Sequence, residues 1–332
     1  MHLLPYSNGL RKVSMKKNRT PKEIVKLILI IIFTILLIGF VYQKISNFIA
    51  KETLRQRVDY TTVDDRRMDY RLEGEGDYTV VFDGGIGGNL EQWTPVVDEL
   101  NNDNVNTFVY NRRGYGYSDS GPQRTPEEQA QDLKILLRKA GAPEPYILVG
   151  EGYGSLVLTS FAEQFKDSVA GVMLINPLDE SYIGTKEYNK SHLITKFRRK
   201  IENIGSNFGL TELLDKLNLD VNLDDFENSI SGDQLDEFKT QRTKSKYTTA
   251  VYNEMDNLSK GVSSSDKTGI FSGMPYYLMT NSNSDNFEKL GDKSLTKIYK
   301  TESQTGFSGL NNTSNVVNGI RYIVKELQSK KK

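Results

Sequence analysis

PYILVGEGYGSLVLTSFAEQF, residues 145–165, decides the fold. Its first part, YILVG (146–150), is an apolar run of a length that suits a buried strand, and Ser155 to Gln164 continues as a helix. Only a few residues join the two. A strand that turns into a helix so abruptly leaves no room for side chains two positions before and two positions after the tip of the turn. Gly150 and Gly154 meet that need and put Gly152 at the tip. Shifting the frame by one residue would place Val149 or Glu151 in a slot that needs a small residue, so the register is firm.

The same alternation extends in both directions. Upstream, VDYTTV (58–63) and MDYRLEG (68–74) read as an opening hairpin, and YTVVFDGG (78–85) and NTFVYN (106–111) as buried strands. Glu91 to Leu100 can form a helix with Trp93, Val96, Val97 and Leu100 on one side. Pro126 to Ala140 reads as a helix with Thr125 as N-cap, Pro126 in the first turn, Glu128 completing a capping box and Gly141 ending it. Its apolar side is Leu133, Ile135, Leu136 and Leu137. Downstream, VAGVMLIN (169–176), MPYYLMT (274–280) and SLTKIYK (294–300) continue the strands. A last helix, about Ser314 to Gln328, turns Val316, Val317, Ile320, Ile323 and Val324 inward. Strands separated by helices predict a mostly parallel central sheet flanked by helices. From about 180 to 268 charge dominates and no strand signal appears; LTELLDKLNL (210–219) and residues 231–258 predict a helical cap inserted into the sheet order.

The N-terminus is different in kind. LILIIIFTILLIGFVY (27–42) carries no charge, and with Ile24 to Lys26 the stretch covers ~28 Å at ~1.5 Å per residue, close to a bilayer core. Lys26 near its edge can extend to the headgroups. Ala50 with Phe48 two residues before it makes a poor signal-peptidase site, so an uncleaved anchor is expected. Arg11, Lys12, Lys16, Lys17, Arg19 and Lys22 precede the stretch, whereas the basic residues after it are sparser and mixed with Glu52 and Asp59. That bias predicts a cytoplasmic N-terminus and an extracytoplasmic C-terminal domain. The expected organisation is a basic tail (1–23), a single transmembrane helix (24–42), a stalk (43–57) and an α/β domain (58–332).

Composition narrows the chemistry. The chain of 332 residues has 43 basic and 43 acidic residues, so no overall field attracts nucleic acid. It has no cysteine, which excludes disulfides, thiolate metal sites and a cysteine nucleophile. It has two histidines, His2 and His192. No metal and no cofactor is expected.

Four blocks in order carry a resemblance. VVFDGGIGGNLEQW (80–93), NRRGYGYSD (111–119), PYILVGEGYGSLVLTSFAEQF (145–165) and VAGVMLINP (169–177) resemble the oxyanion loop, the DRxGxGxSD segment, the strand–elbow–helix segment and the following strand of the α/β-hydrolase superfamily, in particular its bacterial exported or membrane-linked branch. The resemblance implies an α/β-hydrolase fold. It also implies that Gly152 stands at the nucleophile position. The catalytic histidine belongs in the loop TESQTGFSGLNNTSNVV (301–317), where Gly306 before Phe307 is the best match, and no histidine occurs between 193 and 332. Asp179 and Asp285 are candidates for the triad acid, although an acid with no imidazole to orient has no triad role. Backbone N–H groups of Ile86 and Tyr153 are the implied oxyanion donors. Asn111 departs from the aspartate usual at that place, while Arg112, Gly114, Gly116 and Ser118 persist.

Other residues near the elbow have their own readings. Ser155, the nearest hydroxyl, falls in the first turn of a helix, where capping is the expected role. Glu151 is the one reactive group beside the elbow, a base if burial raises its pKa and otherwise a pocket-shaping residue. His192, in KSHLITK, reads as a surface residue of the cap. The expected function is a catalytically silent hydrolase fold, bound to the bilayer through its N-terminal helix. It would hold a small-molecule, lipid or cell-wall ligand in the cap cleft, or engage a membrane protein. The alternatives are a hydrolase of ester, amide or lipid substrates with an unusual centre, and a scaffold. A deep pocket above Gly152 favours a ligand and a collapsed cleft a scaffold.

Overall fold

Eight strands form one sheet in the order β1-β2-β4-β3-β5-β6-β7-β8. They are β1 (Asp59–Val63), β2 (Arg66–Gly74), β3 (Thr79–Asp83), β4 (Asn106–Tyr110), β5 (Tyr146–Glu151), β6 (Val169–Ile175), β7 (Tyr276–Thr280) and β8 (Thr296–Lys300). β2 runs antiparallel to β1 and β4, and every other pairing is parallel. The computed structural model describes residues 20–54, 59–217, 219, 226–260, 266–281, 285–301 and 306–330. Most of the predicted basic tail and the end of the predicted stalk (55–57) lie outside them.

The inner strands are buried along nearly their whole length, with both faces covered. One core layer joins Val81, Leu148, Val172 and Leu278 to helices α3 (Pro126–Ala140) and α4 (Tyr153–Gln164). The other joins Val80, Phe82, Val149 and Met279 to α2 (Thr94–Leu100) and the last helix, α11 (Thr313–Lys330). α3 has the bounds its sequence predicts. Thr125 Oγ1 accepts from Glu128 N, the Glu128 carboxylate accepts from Thr125 N, and Gly141 closes the helix at φ 73°. Ile135 and Val324, expected inward, are only half-buried.

Two predicted helices are divided. Residues Leu90–Trp93 form a 3₁₀ turn and α2 starts at Thr94, because Pro95 lacks the N–H that an interior turn needs and fits only a first turn. In the cap, 231–258 splits into α7 (Gly232–Arg242) and α8 (Ser245–Lys260). Lys244 lies at the break, and its Nζ reaches Glu212 at 3.0 Å. The cap begins with a long helix, α5 (Lys186–Ser206), followed by α6 (Leu210–Lys216). α5 packs along α8.

The chain's N-terminal helix, α1 (Pro21–Leu54), runs without a break through the predicted membrane segment into the segment predicted as a stalk. Its portion Pro21–Ile45 is long and apolar enough to cross a membrane. It touches the cap near its end: Tyr42 Oη donates to Glu212 Oε1 at 2.9 Å. Helices α9 (Asp285–Glu288) and α10 (Ser308–Asn311) are single turns beside the sheet's carboxyl edge.

Candidate functional site

The chain leaves β3 for β4 on one side and arrives at β5 on the other. The loops after β3 and β5 therefore diverge above the carboxyl ends of the strands, the place where open α/β sheets hold ligands. Gly152 stands there with φ 53° and ψ −116°. A residue with a side chain would carry strain in that conformation, and glycine does not. Gly152 N donates to Ile175 O at 3.1 Å and Gly154 N to Gly84 O at 3.0 Å, which ties the turn to β6 and to the loop after β3. A Cβ on Gly154 would lie 2.3 Å from Asp83 O, and one on Gly150 3.0 Å from Gly154 O. The two small-residue slots are thus fixed by backbone approach. A Cβ on Gly152 would meet only Gly85 Cα, at 3.6 Å, so the space for a side chain at the tip is open.

The surrounding groups are mostly committed. Ser155 is buried; its Oγ donates to Gly152 O at 2.6 Å and accepts from Leu178 N at 3.3 Å. The Tyr153 side chain points into the protein, its Oη accepting from Asn257 at 3.1 Å and Gln129 at 3.3 Å. The backbone of Tyr153 opens α4, and Ile86 follows Gly85 in the facing loop, so both implied donors border the tip. Glu151 is 3% exposed. Its carboxylate accepts from Ser308 N at 2.9 and 3.1 Å and from Ser308 Oγ at 2.7 Å. Burial pushes the Glu151 carboxyl up to about 7, with the two Ser308 donors pulling the other way.

A buried ionic cluster lies under the loop after β3. Arg112, just after β4, donates to Asp83, to Gly84 O at 2.8 Å and to Gly85 O at 3.0 Å. From the cap, Glu254 of α8 accepts from Arg112 Nε at 2.7 Å and from Tyr115 Oη at 2.7 Å. Tyr110 Oη donates to Asp83 Oδ2 at 2.7 Å. Burial pushes the carboxyls of Asp83 and Glu254 up, and the Arg112 charge opposes it. Beside this cluster, Tyr115, Phe226, Phe238, Tyr247 and Phe307 pack into one apolar unit that joins cap to sheet. Two cavities bounded by described residues flank Arg112, of about 40 and 10 Å³, and neither touches Gly152. Both are far below the roughly 300 Å³ of a ligand pocket.

The sequence model of the alpha/beta hydrolase fold matches residues 78–257. The chain belongs to the α/β-hydrolase fold family. It is 32% identical over 106 residues to the uncharacterized protein YqjL of Bacillus subtilis, covering 32% of this chain and 42% of that one. It is 25% identical over 157 residues to a proline iminopeptidase of Saccharolobus solfataricus, covering 45% of this chain and 50% of that one. The chain thus spans about half the length of these curated relatives. Among solved structures, the Cif epoxide hydrolase from Acinetobacter nosocomialis superposes with a TM-score of 0.62 at 11% identity, over 85% of this chain and 96% of that one. At that identity the likeness shows the fold alone.

Within this α/β-hydrolase fold the residues singled out from sequence fall into two groups. Gly150, Gly152, Gly154, Glu151, Tyr153 and Ile86 are brought together at the elbow. Gly306 begins the second described part of its loop, and a Cβ there would meet no described residue within 4 Å. Phe307, at φ 59°, turns its ring into the aromatic unit against Phe226. Asp179 and Asp285 follow β6 and β7. Asp179 is partly buried, which works against its ionisation, but hydrogen bonds from Ser181 and Asn286 prevail and hold its carboxyl below the usual range. Asn286 adjoins Asp285, so the two candidate acids sit in neighbouring loops. His192 lies on α5, stacked on Tyr188 and bonded to Tyr188 O at 2.9 Å.

Asn111 acquires a reason. Its Nδ2 donates to Asp69 Oδ2 at 2.6 Å and its Oδ1 accepts from Leu90 N at 2.9 Å. Asp69 is already a buried acid there, and a second carboxylate at 111 would add like-charge repulsion. Two residues escaped the sequence reading. Glu254 had a signal, a lone charge in line with the apolar Tyr247, Ala250, Val251 and Leu258 of α8. Ser308 had none.

Proposed function

We propose that this protein is a membrane-anchored, extracytoplasmic α/β-hydrolase-fold protein that has no serine–histidine chemistry and acts by binding a ligand or partner. One observation carries the reading: the elbow keeps its tight geometry while the residue at its tip, Gly152, has no side chain. The absence of histidine from 193 to 332 agrees with it. The backbone donors of Ile86 and Tyr153 survive any side-chain change and suit a carboxylate or carbonyl oxygen. The aromatic joint between cap and sheet favours a partner, or a ligand at the rim, over one held deep in the cleft. The basic residues before α1 favour a cytoplasmic N-terminus.

The second reading is a hydrolase centred on Glu151, for which its raised pKa speaks. Its burial and its bonds to Ser308 speak against it, since a general base must reach the proton it takes. The test is to incubate the full chain in detergent with short- and long-chain acyl esters and a fluorophosphonate probe, beside an active hydrolase of the same fold. The expected result is no labelling and no turnover above heat-denatured protein. Turnover that copurifies with the protein would overturn the proposal, and its loss in Glu151→Gln would establish the second reading.

A further inference from the structure

The cap turns an apolar face outward. On α5, Leu193, Ile194, Phe197, Ile201 and Ile204 are each more than half exposed. At about 100° per residue they share one ~100° stripe. The buried residues of the same helix, Tyr188, Arg199 and Ser206, lie on the opposite side, towards α8. The next helix and its C-cap residue continue the pattern, with Leu213, Leu214 and Leu217 exposed. Scattered apolar surface needs no explanation, but a continuous stripe does.

The stripe continues an interface that reaches the anchor. Phe208, in the turn between α5 and α6, packs against α1: a Cβ on Gly39 would strike its carbonyl oxygen, and its ring centroid lies 6.5 Å from that of Phe40. Tyr42 bonds Glu212, and Lys216 lies over the Tyr42 ring. The candidate span ends at Ile45, six residues beyond Gly39. At ~1.5 Å per residue the contact sits within ~9 Å of the end of the span, the depth of the headgroup boundary. A tyrosine at that level fits the aromatic belt of a membrane surface.

Charge identifies the occupant. Exposed Lys186 and Lys190 lie in line with the stripe at its N-terminal end, and exposed Arg198 and Lys200 flank it, against one exposed acid on α5, Glu187. Two copies of this face would bring like charges together, whereas an anionic lipid surface complements them. We infer that the outer face of α5 and α6 lies in the headgroup region of the bilayer that α1 crosses, so that the cap is a second, interfacial membrane contact. This rests on the reading of α1 as a membrane anchor.

The chain has no cysteine, so a single introduced cysteine labels one site. Full-length variants Ile194→Cys, Ile201→Cys, Phe33→Cys and Asp98→Cys, each carrying an environment-sensitive fluorophore, are reconstituted into phosphatidylglycerol–phosphatidylcholine vesicles. Quenching by spin-labelled lipid is then compared with quenching by aqueous iodide. The expected result is that labels at 194 and 201 lose most of their emission to the lipid quencher and little to iodide, as at 33, while 98 responds to iodide alone. Iodide quenching at 194 and 201 equal to that at 98 would overturn the inference. Protection from both quenchers would overturn it in favour of a second copy or another protein. Absence of lipid quenching at 33 would remove the anchor itself, and the inference with it.

Discussion

Glu151 shows how one carboxyl couples local burial to the behaviour of the chain. It is buried beside the elbow with Ser308 as its donor on two atoms, and burial lifts it from its ordinary 4.5 to about 7. A carboxyl whose folded pKa exceeds its unfolded one binds more protons when folded. Its contribution is complete below about pH 4.5 and declines as pH rises through about 7. The span corresponds to a loss on the order of 3 kcal/mol. Glu151→Gln keeps an acceptor for Ser308 and cannot ionise. Thermal unfolding of the two proteins at pH 5 and pH 8 should therefore show the wild type losing stability relative to the variant at the higher pH. Asp69, Asp83 and Glu254 are also raised by burial, but they occur in both proteins and cancel in the comparison. Parallel pH profiles would mean that Glu151 is solvated in a way its burial denies.

The strand–turn–helix element is where sequence was most legible, because its constraint is steric and local. The spacing of Gly150 and Gly154 follows from backbone approach within a few residues, so it could be read without a structure. The contrast between the glycines makes this testable. Gly152→Ala meets no atom closer than 3.6 Å and costs only its backbone conformation, about 1–3 kcal/mol. Gly154→Ala drives a methyl to 2.3 Å from Asp83 O, so β3 or α4 must move. Denaturant titration should rank Gly154→Ala well below Gly152→Ala in stability; equal costs would mean that the turn relaxes freely. The capped helix α3 was readable for the same local reason. The break between α7 and α8 was not, because neither glycine nor proline marks it between Arg242 and Ser245. The clamp of Glu151 on Ser308 was hidden likewise, since no period or cap marks a contact made across 157 residues.

At the scale of the molecule, cap, sheet and the loop after β3 meet on Arg112. Its guanidinium bonds Asp83 at the end of β3, the carbonyls of Gly84 and Gly85, and Glu254 on α8. The sequence showed that an arginine stands at 112 but not that the cap supplies its second acid, because the insertion brings α8 back from 142 residues downstream. The arrangement makes the two partners unequal. Glu254→Gln removes one charge and leaves Arg112 paired with Asp83, so the cluster stays compensated. Arg112→Met leaves Asp83 and Glu254 buried without a counter-charge, a change that typically costs about 3–5 kcal/mol. Hydrogen exchange should therefore find α8 and the loop after β3 losing protection together in Arg112→Met, with a much smaller effect in Glu254→Gln. If α8 opened while the loop after β3 stayed protected, the cap would be held by the aromatic unit of Tyr115, Phe226, Phe238, Tyr247 and Phe307 rather than by the ions. The geometry of the elbow would then be independent of whatever the cap binds.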